Sequence, residues 1–131
     1  MIIFNFWPFS KDELTIRFDR EGAAIFLSVA SSFLSRRNDR NSIDCLQYFG
    51  AAFDAAKIEI KRENNNQVEI KGEKLILCMS DEALEYAKFL LEKFIADGDF
   101  SPPEFYSFSR KNRKYDTQIF FLKFSSIESD F

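Results

Sequence analysis

The side chains able to do chemistry in this 131-residue chain are carboxylates, hydroxyls, lysines and arginines, because it contains no histidine. That absence removes the commonest general base, the commonest metal ligand and the usual activator of a Ser or Cys nucleophile. The four glycines, at 22, 50, 72 and 98, cannot write a Gly-x-Gly-x-x-Gly or a P-loop, which excludes nucleotide enzymes of those classes. Asp97, Asp99 and Glu104 form a local acidic cluster. Paired carboxylates can run glycosidase-type chemistry, but a helix end followed by a solvated loop accounts for these three. Asp97-Gly98-Asp99-Phe100-Ser101 has an Asp-x-Asp-x-Ser spacing without the remaining ligands of a calcium loop. No catalytic residue, cofactor or metal is therefore expected, and the reading is of a protein that is not an enzyme.

Two stretches read as binding material instead. Phe100-Ser-Pro-Pro-Glu-Phe105-Tyr106-Ser-Phe108 places four aromatics in a segment whose prolines argue against regular structure; it either exposes an aromatic patch or folds back to cover the core. Ser107 to Lys114 carries Arg110, Lys111, Arg113 and Lys114 between Tyr106 and Tyr115, a pattern that suits phosphates and stacked bases. The net charge of −3 and pI near 5.1 weigh against nucleic acid, so a solvated loop is the favoured reading of the basic run. A basic partner suits the acidic whole better.

The elements that must hold these residues follow from hydrophobic periodicity. Leu14-Thr15-Ile16-Arg17-Phe18 alternates as a half-buried strand, Asp19 caps a helix, and Phe26, Val29, Ala30, Phe33 and Leu34 recur at helical spacing. From Ser42 a weaker stripe of Ile43, Leu46, Phe49 and Phe53 suggests a further helix. Lys57 to Lys61 and Gln67 to Lys71 alternate strictly around Asn64-Asn65-Asn66, which predicts a hairpin. Leu75 to Met79 is a strand, Ser80 a cap, and Leu84, Ala87, Leu91, Phe94 and Ile95 the core stripe of a second main helix ended by Gly98. Residues 99 to 117 read as a long loop and Thr117 to Phe124 as a final strand.

A shift of about 61 positions lays Leu14, Ile16 and Phe18 over Leu75, Leu77 and Met79, and Asp19 over Ser80. The predicted fold is a single α+β domain over residues 1 to 131: a two-layer α/β sandwich with a mixed, mostly antiparallel sheet, two main helices on one face and repeated β-α-β units. Hydrophobic residues at 46% supply the core, and 17 phenylalanines either fill it or reach an interface. The apolar start, Met1 to Phe9, lacks a basic region and is too short to span a membrane, and Cys45 and Cys78 are far apart; both features predict a cytoplasmic protein with reduced thiols.

A small, acidic α/β chain rich in Phe, Ile, Asn and Lys and free of catalytic apparatus resembles the immunity proteins of bacterial contact-dependent growth inhibition and related polymorphic toxin systems. The likeness is one of profile over the whole chain and carries no residue across. It implies a cytoplasmic inhibitor of one cognate toxin domain, frequently a basic nuclease. The contacts expected on charge and exposure are Asp81, Glu82, Glu85, Asp97, Asp99, Phe100, Glu104, Phe105, Tyr106 and Phe108, and the alternative is a nucleic-acid accessory protein using Arg110 to Lys114.

Overall fold

The computed structural model describes residues 1–6, 12–36, 40–50, 52–111 and 113–124. Its elements run β1 (Ile2–Phe6), β2 (Glu13–Phe18), α1 (Arg20–Leu34), β3 (Arg40–Tyr48), β4 (Phe53–Arg62), β5 (Gln67–Lys71), β6 (Lys74–Met79), α2 (Asp81–Asp97), β7 (Glu104–Arg110) and β8 (Thr117–Lys123). The strands close into one barrel in the order β1-β2-β8-β7-β5-β6-β4-β3.

This closed barrel overturns the expected sandwich. Four neighbouring pairs are antiparallel, β1·β2, β3·β4, β5·β6 and β7·β8. Four are parallel, β1·β3, β2·β8, β4·β6 and β5·β7, so the sheet is mixed. Closure removes the free edges and the open face of a sandwich. The repeated unit is ββαββ, not β-α-β: β1-β2-α1-β3-β4 and β5-β6-α2-β7-β8 have the same order and the same pairings.

Register places the helices. Ile2 pairs with Phe18 and Arg40 with Lys61, so α1, which joins Phe18 to Arg40, leaves and re-enters the barrel at one end. Arg62 pairs with Met79, where α2 begins, so α2 belongs to that same end. The two helices pack on each other there. Their buried faces join the inward side chains of the strands in one core that includes Phe4, Phe18, Ile58, Ile60, Leu77, Met79 and Phe121. The hairpin ends Tyr48↔Phe53 of β3·β4 and Lys71↔Lys74 of β5·β6 lie at the opposite end.

Local sequence explains both helices. The Asp19 carboxylate accepts from the Gly22 N–H at 2.7 Å and the Ser80 hydroxyl from the Ala83 N–H at 3.2 Å, each satisfying a donor that the first turn leaves open. Gly98 ends α2 at φ 86°, a left-handed position open to glycine at little cost. The buried positions of α1 are 22, 23, 26, 29, 30 and 33, and those of α2 are 83, 84, 87, 90, 91 and 94, the same set displaced by 61.

Three further expectations are corrected. The stripe from Ser42 is strand β3, not a helix: Ile43 and Cys45 point into the barrel and pair with Ile58 and Ala56. The stretch read as a loop over 99 to 117 contains β7. β4 and β5 do not form a hairpin, because β6 lies between them, parallel to β4 and antiparallel to β5. The asparagine link instead wraps the end of β6, where the Glu63 N–H donates to the Met79 carbonyl at 3.0 Å and the Ser80 N–H to Asn66 Oδ1 at 2.7 Å. Trp7 to Phe9 and the final seven residues lie outside the described residues.

Candidate functional site

The expected contact residues divide sharply by burial. Glu82 and Glu85 are exposed on the outward side of α2, Asp97 is exposed at its last position, and Asp99 and Glu104 are exposed in the connection to β7 and at its start. Asp81 is also exposed but engaged: its two oxygens accept from Arg62 Nε and Nη2, each at 2.7 Å. This fork-shaped pair is the strong geometry for a guanidinium and a carboxylate. Arg62 also donates to the Phe33 carbonyl at 3.1 Å, tying the end of α1 to the start of α2. Asp99 is partly committed as well, accepting from the Phe100 N–H at 2.9 Å and facing Lys123 at 4.0 Å.

The aromatic half of the expected patch is core. Phe100, Phe105 and Phe108 are 6%, 5% and 0% exposed, so their rings are not free to meet a partner, and Tyr106 is half-buried. Phe100 stacks on Phe94 with centroids 4.4 Å apart and Phe105 on Phe121 at 4.4 Å. The prolines precede β7, where Phe105 and Phe108, three residues apart, are both buried in a strand whose pairing with β8 shifts register between Glu104 and Tyr106. Of the two readings of this stretch, covering the core is the one the rings follow.

What residue pattern alone missed is Phe89 on the outward side of α2. Phe89 is 54% exposed there, and its ring is parallel to that of Tyr86 at 6.2 Å; Tyr86 is in turn parallel to Phe105 at 6.1 Å. With Phe105 on Phe121, this makes a continuous stack from solvent to the barrel interior. Burial pushes the Tyr106 phenol up, and the charges of Glu82 and Tyr86 add to the shift. The structure therefore gathers Glu82, Glu85, Phe89 and Glu92 on one helix side, backed by Tyr86 and Tyr106. The available signal was that Phe89 falls off the buried stripe of α2.

The basic run is at the other end, on the β7–β8 hairpin. Arg110 lies over the Phe6 ring at 5.2 Å, and its guanidinium is held below its usual range by burial first and by Arg113 second. Lys114 lies over the exposed Tyr115 ring at 5.6 Å. Asn112 is outside the described residues. Arg36 follows α1 at a left-handed φ of 61°, and Arg40 begins β3 and does not close the helix.

The remaining chemistry is sparse. A polar cleft of about 820 Å³ between the end of α1 and the start of α2 is lined by Arg36, Arg62, Glu63, Asn66, Asp81 and Glu82. Among the described residues no group of three or more His, Cys, Asp or Glu side chains is placed to hold a metal ion. Both cysteines are free; burial, with a smaller push from Asp44, raises the Cys45 thiol to about 12, far from the thiolate a nucleophile needs. Among the described residues no helix is long and apolar enough to cross a membrane. Neither a family model, nor a curated protein, nor a solved structure matches the chain significantly.

Proposed function

We propose that the chain is a non-catalytic binding protein of the cytoplasm, an immunity-type inhibitor that neutralises a cognate, basic toxin domain. The observation that carries this reading is the difference between two helices with the same place in the fold. The exposed side of α2 presents Glu82, Glu85 and Glu92, whereas the positions 61 residues earlier in α1 are Glu21, Ala24 and Ser31. Helix α1 forms without acids at these two positions; Glu92 also pairs with Lys88 at 3.4 Å within α2, so Glu85 is the added acid that supports a role in binding. A negative surface steers a basic partner, raises the association rate and repels the wrong ones.

The nucleic-acid alternative is less well supported. Its cations share one hairpin, but Arg110 is already committed to Phe6, and the chain as a whole repels phosphate. A labelled single-stranded oligonucleotide titrated at low salt tests it directly, and tight, salt-sensitive binding would replace the protein-partner reading. The test of the leading reading is calorimetric titration with the purified C-terminal domain encoded by the adjacent reading frame. A stoichiometric complex is expected. Absence of heat and of a complex on gel filtration would overturn it.

A further inference from the structure

We infer that Phe89 is the anchor of a protein-docking surface on the outward side of α2, whose occupant is a basic protein surface with a recess for one aromatic ring. The inference rests on the inhibitor reading above and gives it a contact that charge alone does not supply. Four observations carry it. Phe89 is the ring of α2 that is mostly exposed, at 54%, and burying a large aromatic at an interface is a common source of binding energy. The fold does not need it there: Ser28 holds the equivalent position in α1 and is exposed.

The ring is also pre-positioned. The parallel stack through Tyr86 and Phe105 to Phe121 fixes its orientation before any partner arrives, which lowers the ordering cost of binding. Phenylalanine adds little of its own, having two side-chain torsions.

Finally, the rim selects the partner's sign. Glu82, Glu85 and Glu92 lie beside the ring along the helix; Lys88 and Glu92 offset each other at 3.4 Å and Lys93 keeps its charge while donating to the Ser101 carbonyl at 3.2 Å, so this side sets three acids against two cations and is net negative. A second copy of this chain would bring its own acidic rim against this one, and one ring per copy is a small apolar area for a stable dimer. A basic partner with an apolar recess satisfies both the charge and the ring.

Stopped-flow and surface-plasmon measurements with the adjacent frame's purified C-terminal domain separate the two contributions. Phe89→Ala is expected to weaken binding by about 30-fold or more, almost wholly through faster dissociation. The triple change Glu82→Gln, Glu85→Gln, Glu92→Gln is expected to slow association by about 10-fold at low salt and to flatten its salt dependence. Ile25→Ala, on the exposed side of α1, serves as the control and leaves both rates unchanged; circular dichroism verifies that each variant is folded. If the wild-type protein binds and Phe89→Ala binds equally well, the docking surface is overturned while the inhibitor reading stands. If no wild-type complex forms, both fall. If sedimentation shows wild-type self-association that Phe89→Ala abolishes, the surface belongs to a second copy and this assignment is overturned.

Discussion

Replacing Gly22 with alanine reverses the sign that helix chemistry alone would give. Glycine inside a helix is less favourable than alanine by about 1 kcal/mol, so Gly22→Ala in an isolated α1 would stabilise it. In the folded barrel an ideal Cβ at Gly22 sits 2.3 Å from the Met1 carbonyl oxygen, 2.8 Å from its carbon and 2.8 Å from Ile2 Cγ1. The nearest of these atoms is backbone and cannot rotate away. Moving it breaks the 3.1 Å hydrogen bond from the Asp19 N–H to the Met1 carbonyl, worth about 1 kcal/mol, and overpacking adds about 1–3 kcal/mol. Subtracting the propensity gain leaves a net loss of about 1–3 kcal/mol. For a domain of this size that lowers the melting temperature by about 4–11 °C. The matched control is Ala83→Gly, the same position in α2, which loses both propensity and a buried methyl and falls by about 1–2 kcal/mol. Urea and thermal melts followed by circular dichroism read both. A Gly22→Ala protein as stable as the parent or more so would refute the packing of α1 against the start of β1.

Three other outcomes follow from the same geometry. Phe121 contacts Phe18, Phe26, Phe100 and Phe105, so Phe121→Ala should lose about 3–5 kcal/mol in a urea melt, and Phe121→Leu clearly less. The hydrogen bonds from Arg62 hold the Asp81 carboxyl below its ordinary 3.8, so this contribution is complete above about pH 4 and is lost as pH falls through the lower folded value. Asp81→Asn should accordingly be less stable than the parent at pH 7, with the gap in urea midpoint narrowing as pH falls below about 4; a constant gap would exclude the ion pair as its cause. With Cys45 pushed to about 12 and Cys78 also raised, chiefly by burial, a thiol reagent at pH 8 should label the native protein slowly and both cysteines at once after denaturation.

Elements were legible wherever a local signal fixed them. Asp19, Ser80 and Gly98 mark helix ends through bonds made within a few residues, and Leu75, Leu77 and Met79 alternate cleanly because all three point inward. β3 was not legible. Its inward residues include Cys45 and Gln47, which do not read as a hydrophobic face, while Ile43, Leu46, Phe49 and Phe53 imitate a helical stripe. Pairing was hidden for another reason. A short polar link between two alternating runs is ordinarily a hairpin turn, and nothing local announces that β6 will enter between β4 and β5. Closure rests on short seams, Ile3 with Leu46 and Phe4 with Gln47 in one half, Gln67 with Ser109 and Val68 with Arg110 in the other, too few residues to leave a pattern.

The site was half legible. Exposed acids on α2 follow from helical phase, so the exposure of Glu82 and Glu85 was legible. Phe89 was not, because in a chain with 17 phenylalanines one more reads as core. The repeat offered the corrective signal: setting α1 on α2 puts Ser28 at the same place, and a ring with no counterpart is a ring the core does not ask for. Phe100, Phe105 and Phe108 went the other way: the prolines among them left exposure and burial equally open, and Phe100 is buried against Phe94 while Phe105 and Phe108 are buried from β7.

The measurement that bears most directly on the proposed inhibitor is growth of cells expressing the C-terminal domain of the adjacent reading frame, with and without this chain in the same cytoplasm. Growth arrest without it, full recovery with it and partial recovery with Phe89→Ala are the results predicted. A domain that does not harm the cell, or one whose harm this chain leaves untouched, would contradict the account.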